Sequence, residues 1–328
     1  MEAVPAPDAA AVARFRADLA RLCDPDVDHA LIAVSGGPDS IALLLLARAA
    51  IGARCAAATV DHGLRAAAAD EARFVAQLCA ERGITHATLC GDFPDRAGRT
   101  ANVSARARAM RYRLLDAHAV AIGATVIATA HHADDQCETV VMRLNRGAGV
   151  SGLAGIRARG GKVIRPLLGW RRSELAALVA QSGITAIDDP SNHDDRYDRA
   201  RLRKALAEST LFDVEAVAGS AAALGEAEDA IVWMTDQLAA HHCRLDDARA
   251  TLTGAETLPA EFQRRLVERC VRHIDPAAAI RGATLSAAIE SLRRGKRVML
   301  GNVLGDVDSA SRPDAAWHFH RAPPRQSR

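Results

Sequence analysis

The chain has 328 residues, room for two domains of ordinary size and a sizeable core. Hydrophobic residues make up 49% and charged residues 25%, as in a soluble protein, and a net charge of +2 gives no general attraction to nucleic acid. Seven scattered cysteines without a Cys-x-x-Cys pair argue against a disulfide framework and against a zinc or iron–sulfur site.

The longest apolar run, from Ile41 to Ala53, is broken by Arg48 and is too short to span a bilayer. The N-terminus carries Glu2 and Asp8 and lacks the plan of a signal peptide, so no membrane association and a reducing cytoplasm are expected. Only Lys162, Lys204 and Lys296 among the 42 basic residues are lysines, which reads as codon bias. The placement of arginines therefore says more than their number.

Residues 1–28 read as an N-terminal helical extension. From residue 29 short strands alternate with longer helices. Ala30–Val34 is a strand and Ser40–Ile51 a helix, with Ser35-Gly36-Gly37-Pro38-Asp39-Ser40 between them. Two glycines let the backbone approach an anion. The loop amides and the positive end of the helix dipole then converge on it. Ser35 and Ser40 add hydroxyl donors, and Asp39 suits a Mg²⁺ that bridges phosphates. No Walker string occurs. The hexapeptide resembles the pyrophosphate loop of the N-type ATP pyrophosphatases, which cleave ATP to AMP and pyrophosphate.

The second strand, Ala56–Val60, runs into Asp61-His62-Gly63-Leu64-Arg65, and a helix follows over Ala67–Arg82. The third strand is His86–Leu89. The next helix, Ser104–Ile122, starts basic, and Arg108 and Arg111 share one face, as phosphate or RNA contacts would. The fourth strand, Thr125–Ala130, leads into His131-His132-Ala133-Asp134-Asp135-Gln136-Cys137-Glu138-Thr139, which opens a helix over Asp134–Asn145. Asp135 and Glu138 lie three apart on one helix face, fit to hold Mg²⁺ or a cationic substrate. This alternation implies a parallel sheet flanked by helices, with ligands at the carboxyl ends of the strands.

Gly147-Ala148-Gly149-Val150-Ser151-Gly152 matches a dinucleotide fingerprint but follows a helix rather than a strand, so it reads as a flexible loop. Asp188-Asp189-Pro190-Ser191-Asn192 is a turn, and Arg196, Tyr197, Arg199, Arg201, Arg203 and Lys204 after it suggest an anionic partner. The catalytic domain is expected to span residues 29–205. Residues 206–305 read as a smaller, mainly helical domain with few strand signals. Residues 306–328 read as a short, frayed tail.

Taken together, these strings resemble tRNA(Ile)-lysidine synthetase. The likeness covers about residues 29–204 and is most selective in His-His-x-Asp-Asp-Gln-x-Glu-Thr followed by Arg146–Gly155. It implies an adenine-nucleotide α-hydrolase-like (PP-loop) α/β fold and an enzyme that uses ATP and Mg²⁺. The reaction it implies adenylates C2 of the wobble cytidine in an isoleucine tRNA with a CAU anticodon. L-lysine then displaces AMP to form lysidine. The implied ATP site is Ser35, Gly36, Gly37, Pro38, Asp39, Ser40, Asp61 and His62, with Mg²⁺ at Asp39. Asp39, Asp135, Glu138 and Arg108 carry the catalytic roles. Arg108, Arg111, His131, His132, Arg199 and Arg203 contact lysine or tRNA. The family also suggests a homodimer. Ala200 stands where the family usually has Asn, and Leu202 where it has Ile. The chain reads as lacking the further acceptor-stem domain of longer members. Two rivals remain, an RNA-binding protein with a dead nucleotide site and a nucleotide-binding regulator without RNA.

Overall fold

The computed structural model describes residues 6–61, 67–91, 103–187, 198–280, 282–308 and 315–323. The chain forms two compact units, Met1–Glu226 and Ala227–Arg328. The expected boundary at 205/206 falls inside a helix, Asp198–Glu208.

The first unit runs α1 (Ala9–Ala20), β1 (Ala30–Ala33), α2 (Pro38–Ile51), β2 (Cys55–Asp61), α3 (Ala67–Glu81), β3 (Thr85–Cys90), α4 (Val103–Ala121), β4 (Val126–Ala128) and α5 (Ala133–Leu144). Then come α6 (Val150–Leu153), β5 (Arg159–Gly160), β6 (Val163–Ile164), α7 (Arg172–Gln181) and α8 (Asp198–Glu208). The long helix α9 (Val214–His242) runs on across the division.

The sheet order is β3-β2-β1-β4-β6-β5. β1 pairs in parallel with both β2 (Ala30 with Cys55) and β4 (Ala30 with Val126), and only β5 is antiparallel. Alternation along β1 feeds both faces. Ala30 and Ile32 enter the core shared with α2, whereas Leu31 meets Ile127, Leu115 and Ala119 on the α4 side. Each such fully buried Leu or Ile contributes about 1.5–3 kcal/mol.

α2 is apolar on almost every side, and Ile41 through Ala47 are all buried. A helix of that kind belongs inside a core. Pro38 at its first turn starts it, and Gly52, at φ +60°, stops it. The N-terminal helix α1 is part of the same core through Phe15 and Leu19. Arg14 stacks over Trp170 at 4.1 Å and pairs with Glu174 at 2.7 Å, while Trp170 Nε1 donates to Asp18 at 3.0 Å.

The second unit continues with β7 (Cys243–Leu245), β8 (Arg249–Leu252), α10 (Ala260–Ile274), α11 (Gly282–Arg293), β9 (Val298–Leu300), β10 (Val303–Val307) and β11 (Trp317–Arg321). Its helices match the sequence reading. Its five-stranded antiparallel sheet, ordered β7-β8-β11-β10-β9, does not. The correction extends to residues 306–328, read as a frayed tail. β11 lies there and is the central strand. Trp317 and Phe319 are fully buried against Leu266, Val271 and Leu292. Strands of three to five residues give little periodicity, and the Pro- and Arg-rich end masked the Trp-x-Phe alternation. Among the described residues, no helix is long and apolar enough to cross a membrane.

Candidate active site

The sheet order reverses about β1, which places the loops after β1 and β4 side by side at the carboxyl ends of neighbouring strands. The first loop is built by its glycines and serines. Gly36 has φ +89°, and a Cβ there would lie 2.8 Å from Ile187 Cδ1. The Ile187 amide donates to Gly36 O at 3.0 Å. Only glycine suits this position. Gly37 is extended and caps α2 without a side chain, leaving the first amides of the helix directed at the loop.

Ser40 Oγ accepts from the Ser35 amide (3.1 Å) and donates to Gly37 O (2.9 Å), and Ser35 Oγ donates to Ser40 Oγ (3.3 Å). The serines brace the loop in this arrangement. Asp39 Oδ2 lies 3.4 Å from His132 Nε2, while Asp39 Oδ1 is buried without a hydrogen bond. A buried carboxylate oxygen with no donor suits a hard cation. Among the described residues, no cluster of three or more His, Cys, Asp and Glu side chains is set to hold a metal. One carboxylate plus substrate phosphates is a usual donor set for Mg²⁺. The residues present fit that ion.

The second loop carries two histidines in opposite states. Burial lowers His131 to about 4; Asp135 opposes this, and Arg165, Arg108 and Arg199 reinforce it. His131 is therefore neutral, with Nδ1 3.0 Å from Thr129 Oγ1. His132 is only 3% exposed, and burial disfavours its charge. Hydrogen bonding to Asp134 and Asp39 and the charge of Asp135 prevail and raise it to about 9. Asp134 Oδ2 is 3.6 Å from Nδ1, and Asp135 Oδ2 is 3.5 Å from Nε2. Asp134 faces away from the loop after β1 toward α7. It accepts from the Arg172 amide at 2.8 Å and lies 3.3 Å from Arg171 Nη2.

Asp135 and Glu138 share a face of α5, as their spacing predicts, and that face meets α8. Arg199 Nε donates to Glu138 Oε2 (2.6 Å) and its Nη2 to Asp135 Oδ1 (2.9 Å). Arg203 Nε donates to Glu138 Oε1 (2.7 Å) and its Nη2 to Oε2 (3.3 Å). Glu138 is 2% exposed. Burial opposes the charge on Asp135, but His132 and Arg199 hold its carboxyl below the usual range. The sequence named all four residues; it assigned the acids to lysine or metal and the arginines to an anion, and it did not foresee the pairing. Ala200, the departure from the usual Asn, is 7% exposed on α8, a place that suits a methyl group.

Arg108 and Arg111 lie a turn apart on α4, both solvent-accessible, and Arg108 stacks on Tyr112 at 5.0 Å. Asp61 ends β2, and its carbonyl accepts from Gly91 N. His62, Arg65, Asp188–Asn192, Arg196 and Tyr197 lie outside the described residues. The Gly147–Gly155 loop is tied down at its end by two side chains that sequence reasoning left without a role. Arg143 Nη1 donates to Gly152 O (2.7 Å) and Gly155 O (2.8 Å), and Gln136 exchanges two bonds with the Ile156 backbone. Their only signal was a place in the His-His string and its helix. A cavity of about 490 Å³ is lined by Asp134, Glu138, Arg171, Arg172, Arg203 and Phe212 among others.

The PP-loop domain family matches residues 12–210. A tRNA(Ile)-lysidine synthase of Novosphingobium aromaticivorans is 44% identical over 324 residues, 97% of this chain and 95% of that one. The chain belongs to the tRNA(Ile)-lysidine synthase family. A second lysidine synthase, from Zymomonas mobilis, is 43% identical over 303 residues, covering 90% and 89% of the two chains. The U34-tRNA thiolase NcsA of Methanococcus maripaludis, a solved structure with a [4Fe-4S] cluster, superposes with a TM-score of 0.53. It is 16% identical and covers 65% of this chain and 77% of its own, so the likeness concerns the fold. The resemblance read from the sequence is thereby borne out. As a lysidine synthase the protein is an ATP-dependent ligase of tRNA modification.

Proposed function

We propose that this lysidine synthase joins L-lysine to C2 of the wobble cytidine of a CAU-anticodon isoleucine tRNA. The observation that carries the reading is the convergence, at one sheet crevice, of the Gly-Gly loop after β1 and the His-His-x-Asp-Asp string after β4. The C2 oxygen of cytidine is a poor leaving group, and adenylation turns it into the phosphate oxygen of AMP. The amides of Gly36, Gly37, Asp39 and Ser40, in the loop and at the start of α2, are suited to receive the pyrophosphate that departs. Asp39 would hold Mg²⁺, which when bound would offset the charge developing on the phosphates.

The lysine ε-ammonium, with a reference pKa of about 10.4, must lose a proton before it attacks. Asp135, kept ionised, faces the same crevice and is suited to bind the ammonium and pass on its proton. Arg108 offers an accessible guanidinium for tRNA phosphates. Assignment of tRNA reading to the second unit rests on the family alone, because Arg264, Arg265 and Arg269 of α10 already pair with Glu261, Glu228 and Asp236. A cytoplasmic homodimer completes the reading.

The test is incorporation of radiolabelled lysine into unmodified CAU-anticodon isoleucine tRNA with ATP and Mg²⁺, with elongator methionine tRNA as control. Label in the isoleucine tRNA alone is expected. Pyrophosphate release with another acceptor, and no label, would retain the ATP chemistry and reject the lysine transfer.

A further inference from the structure

Cys243 and Cys270 meet inside the second unit. Their Sγ atoms lie 3.9 Å apart, although 27 positions separate them in the chain. Both thiols are free. Cys243 opens β7, directly after the last residue of α9, and is half-buried. Cys270 lies on α10, fully buried in one core with Leu266, Val267 and Val271. Metal binding does not account for the contact. His242 and His273, near the two cysteines in sequence, donate instead to backbone oxygens, at 2.7 Å to Thr253 O and 2.7 Å to Asp246 O. No third ligand completes a metal site among the described residues.

The two sulfurs are unequal. A thiolate attacks an oxidant, and a thiol does not. Hydrogen bonding from Cys270 pulls the Cys243 thiol down despite its burial, and the Arg269 cation helps. Hydrogen bonding to Cys243 and burial push the Cys270 thiol up. The sulfur that a solute can reach is therefore the one that ionises first, and the buried one waits at contact distance. A disulfide needs about 2.05 Å between its sulfurs. Cys243, half-buried, is the side with room to turn about χ1 and close the gap.

We propose that Cys243 and Cys270 are a reversible oxidation site that hydrogen peroxide closes to a disulfide. The Cys243 thiolate attacks one peroxide oxygen, the O–O bond breaks, and hydroxide leaves. Cys243 is then a sulfenic acid. Cys270 Sγ attacks that sulfur, the S–S bond forms and the S–O bond breaks. The hydroxyl departs with the Cys270 proton as water. Two sulfurs together lose two electrons, and one peroxide gains them. A dithiol reductant returns them and becomes a disulfide itself. The product is a staple. α9 and α10 are already joined by Arg265 with Glu228 and Arg269 with Asp236. The disulfide adds a covalent tie where α9 passes into β7, an edge strand of the sheet. The site is independent of the reaction at the first unit.

The test starts from the reduced, folded full chain. It is treated with hydrogen peroxide, its remaining thiols are blocked with iodoacetamide, and the digest is read by mass spectrometry. A Cys243–Cys270 linked peptide is expected, and dithiothreitol should remove it. In Cys243→Ser, Cys270 should remain alkylatable at the same peroxide dose. In Cys270→Ala, Cys243 should be trapped as the sulfenic acid, which dimedone labels. Oxidation should raise the Tm of the wild type by about 5 °C or more and leave that of Cys243→Ser unchanged.

Three results would overturn the proposal. One is recovery of both cysteines in alkylated form after peroxide. Another is Cys243 driven on to sulfinic acid with no linked peptide. The third is a linked peptide that forms only in urea, because the two thiols would then meet only in the unfolded chain. A Tm that does not rise on oxidation would reject the staple. Should Cys270→Ala fail to fold, Cys243→Ser, altered at a half-buried position, carries the comparison with the same outcomes.

Discussion

Gly36 and Gly37 are neighbours of the same type in the same loop, and the structure assigns them unequal tolerance for a methyl group. Gly36 has φ +89°, where an L residue is strained, and its new Cβ would press on Ile187 Cδ1 at 2.8 Å. The left-handed conformation costs an alanine about 1–2 kcal/mol. The contact adds up to about 1 kcal/mol, because the tip of an isoleucine can turn aside. Gly36→Ala should therefore destabilise the first unit by about 1–3 kcal/mol, with a fall of about 2–4 °C in Tm for each kcal/mol. Gly37 has φ −73°, and its nearest neighbour would be Ser35 Oγ at 3.8 Å. Gly37→Ala should stay within about 0.5 kcal/mol of wild type, as unstrained surface changes do. Urea denaturation followed by circular dichroism gives both numbers. Adding Ile187→Val to Gly36→Ala should recover the contact part and leave the backbone part. Equal losses for the two alanines, or full rescue by Ile187→Val, would refute the reasoning.

Three further outcomes are expected. Phe319→Ala empties a fully buried site between Gly305 and Ala250 and should cost about 3–5 kcal/mol, read as early loss of the buried Trp317 fluorescence in urea. Asp134 has a folded pKa below its unfolded value of about 3.9: burial works against its charge, but His132, the Arg172 amide and Arg171 prevail. Its ionised form thus contributes stability above about pH 4 that is lost as pH falls through the folded pKa. The stability gap between wild type and Asp134→Asn should narrow between pH 6 and pH 3, and a gap that widens on acidification would contradict the sign. Arg143→Ala removes the bonds to Gly152 O and Gly155 O, and should speed hydrogen exchange at the Gly147–Gly155 amides without changing β1.

The first unit was legible because its strands are apolar runs bounded by polar strings at the ligand end, and each expected strand and helix is present within two residues or so. β5 and β6 were not, since two residues carry no period. In the second unit, five short strands needed their partners to exist at all, and Trp317 finds its neighbour Leu252 far away in sequence. The candidate site divides in the same way. Residue types and local spacing announced Gly36, Asp39, Asp135, Glu138 and the α8 arginines. What joins them is tertiary: Glu138 meets Arg199 across 61 positions, and no local pattern records that distance. The state of the two histidines is equally invisible in the string His131-His132, because neighbouring carboxylates and cations, not the residue type, separate them.

The strand order of the second sheet has a consequence for how the polypeptide matures. β7 with β8, and β9 with β10, are sequential ribbons that can pair as soon as they leave the ribosome. Nothing in the sheet joins one ribbon to the other until β11 emerges and slots between β8 and β10. The strand of this sheet that is synthesised last is thus the one that completes it. Until then both ribbons present open edges to the crowded cell, a window in which chaperones have most to offer and a stalled chain most to lose.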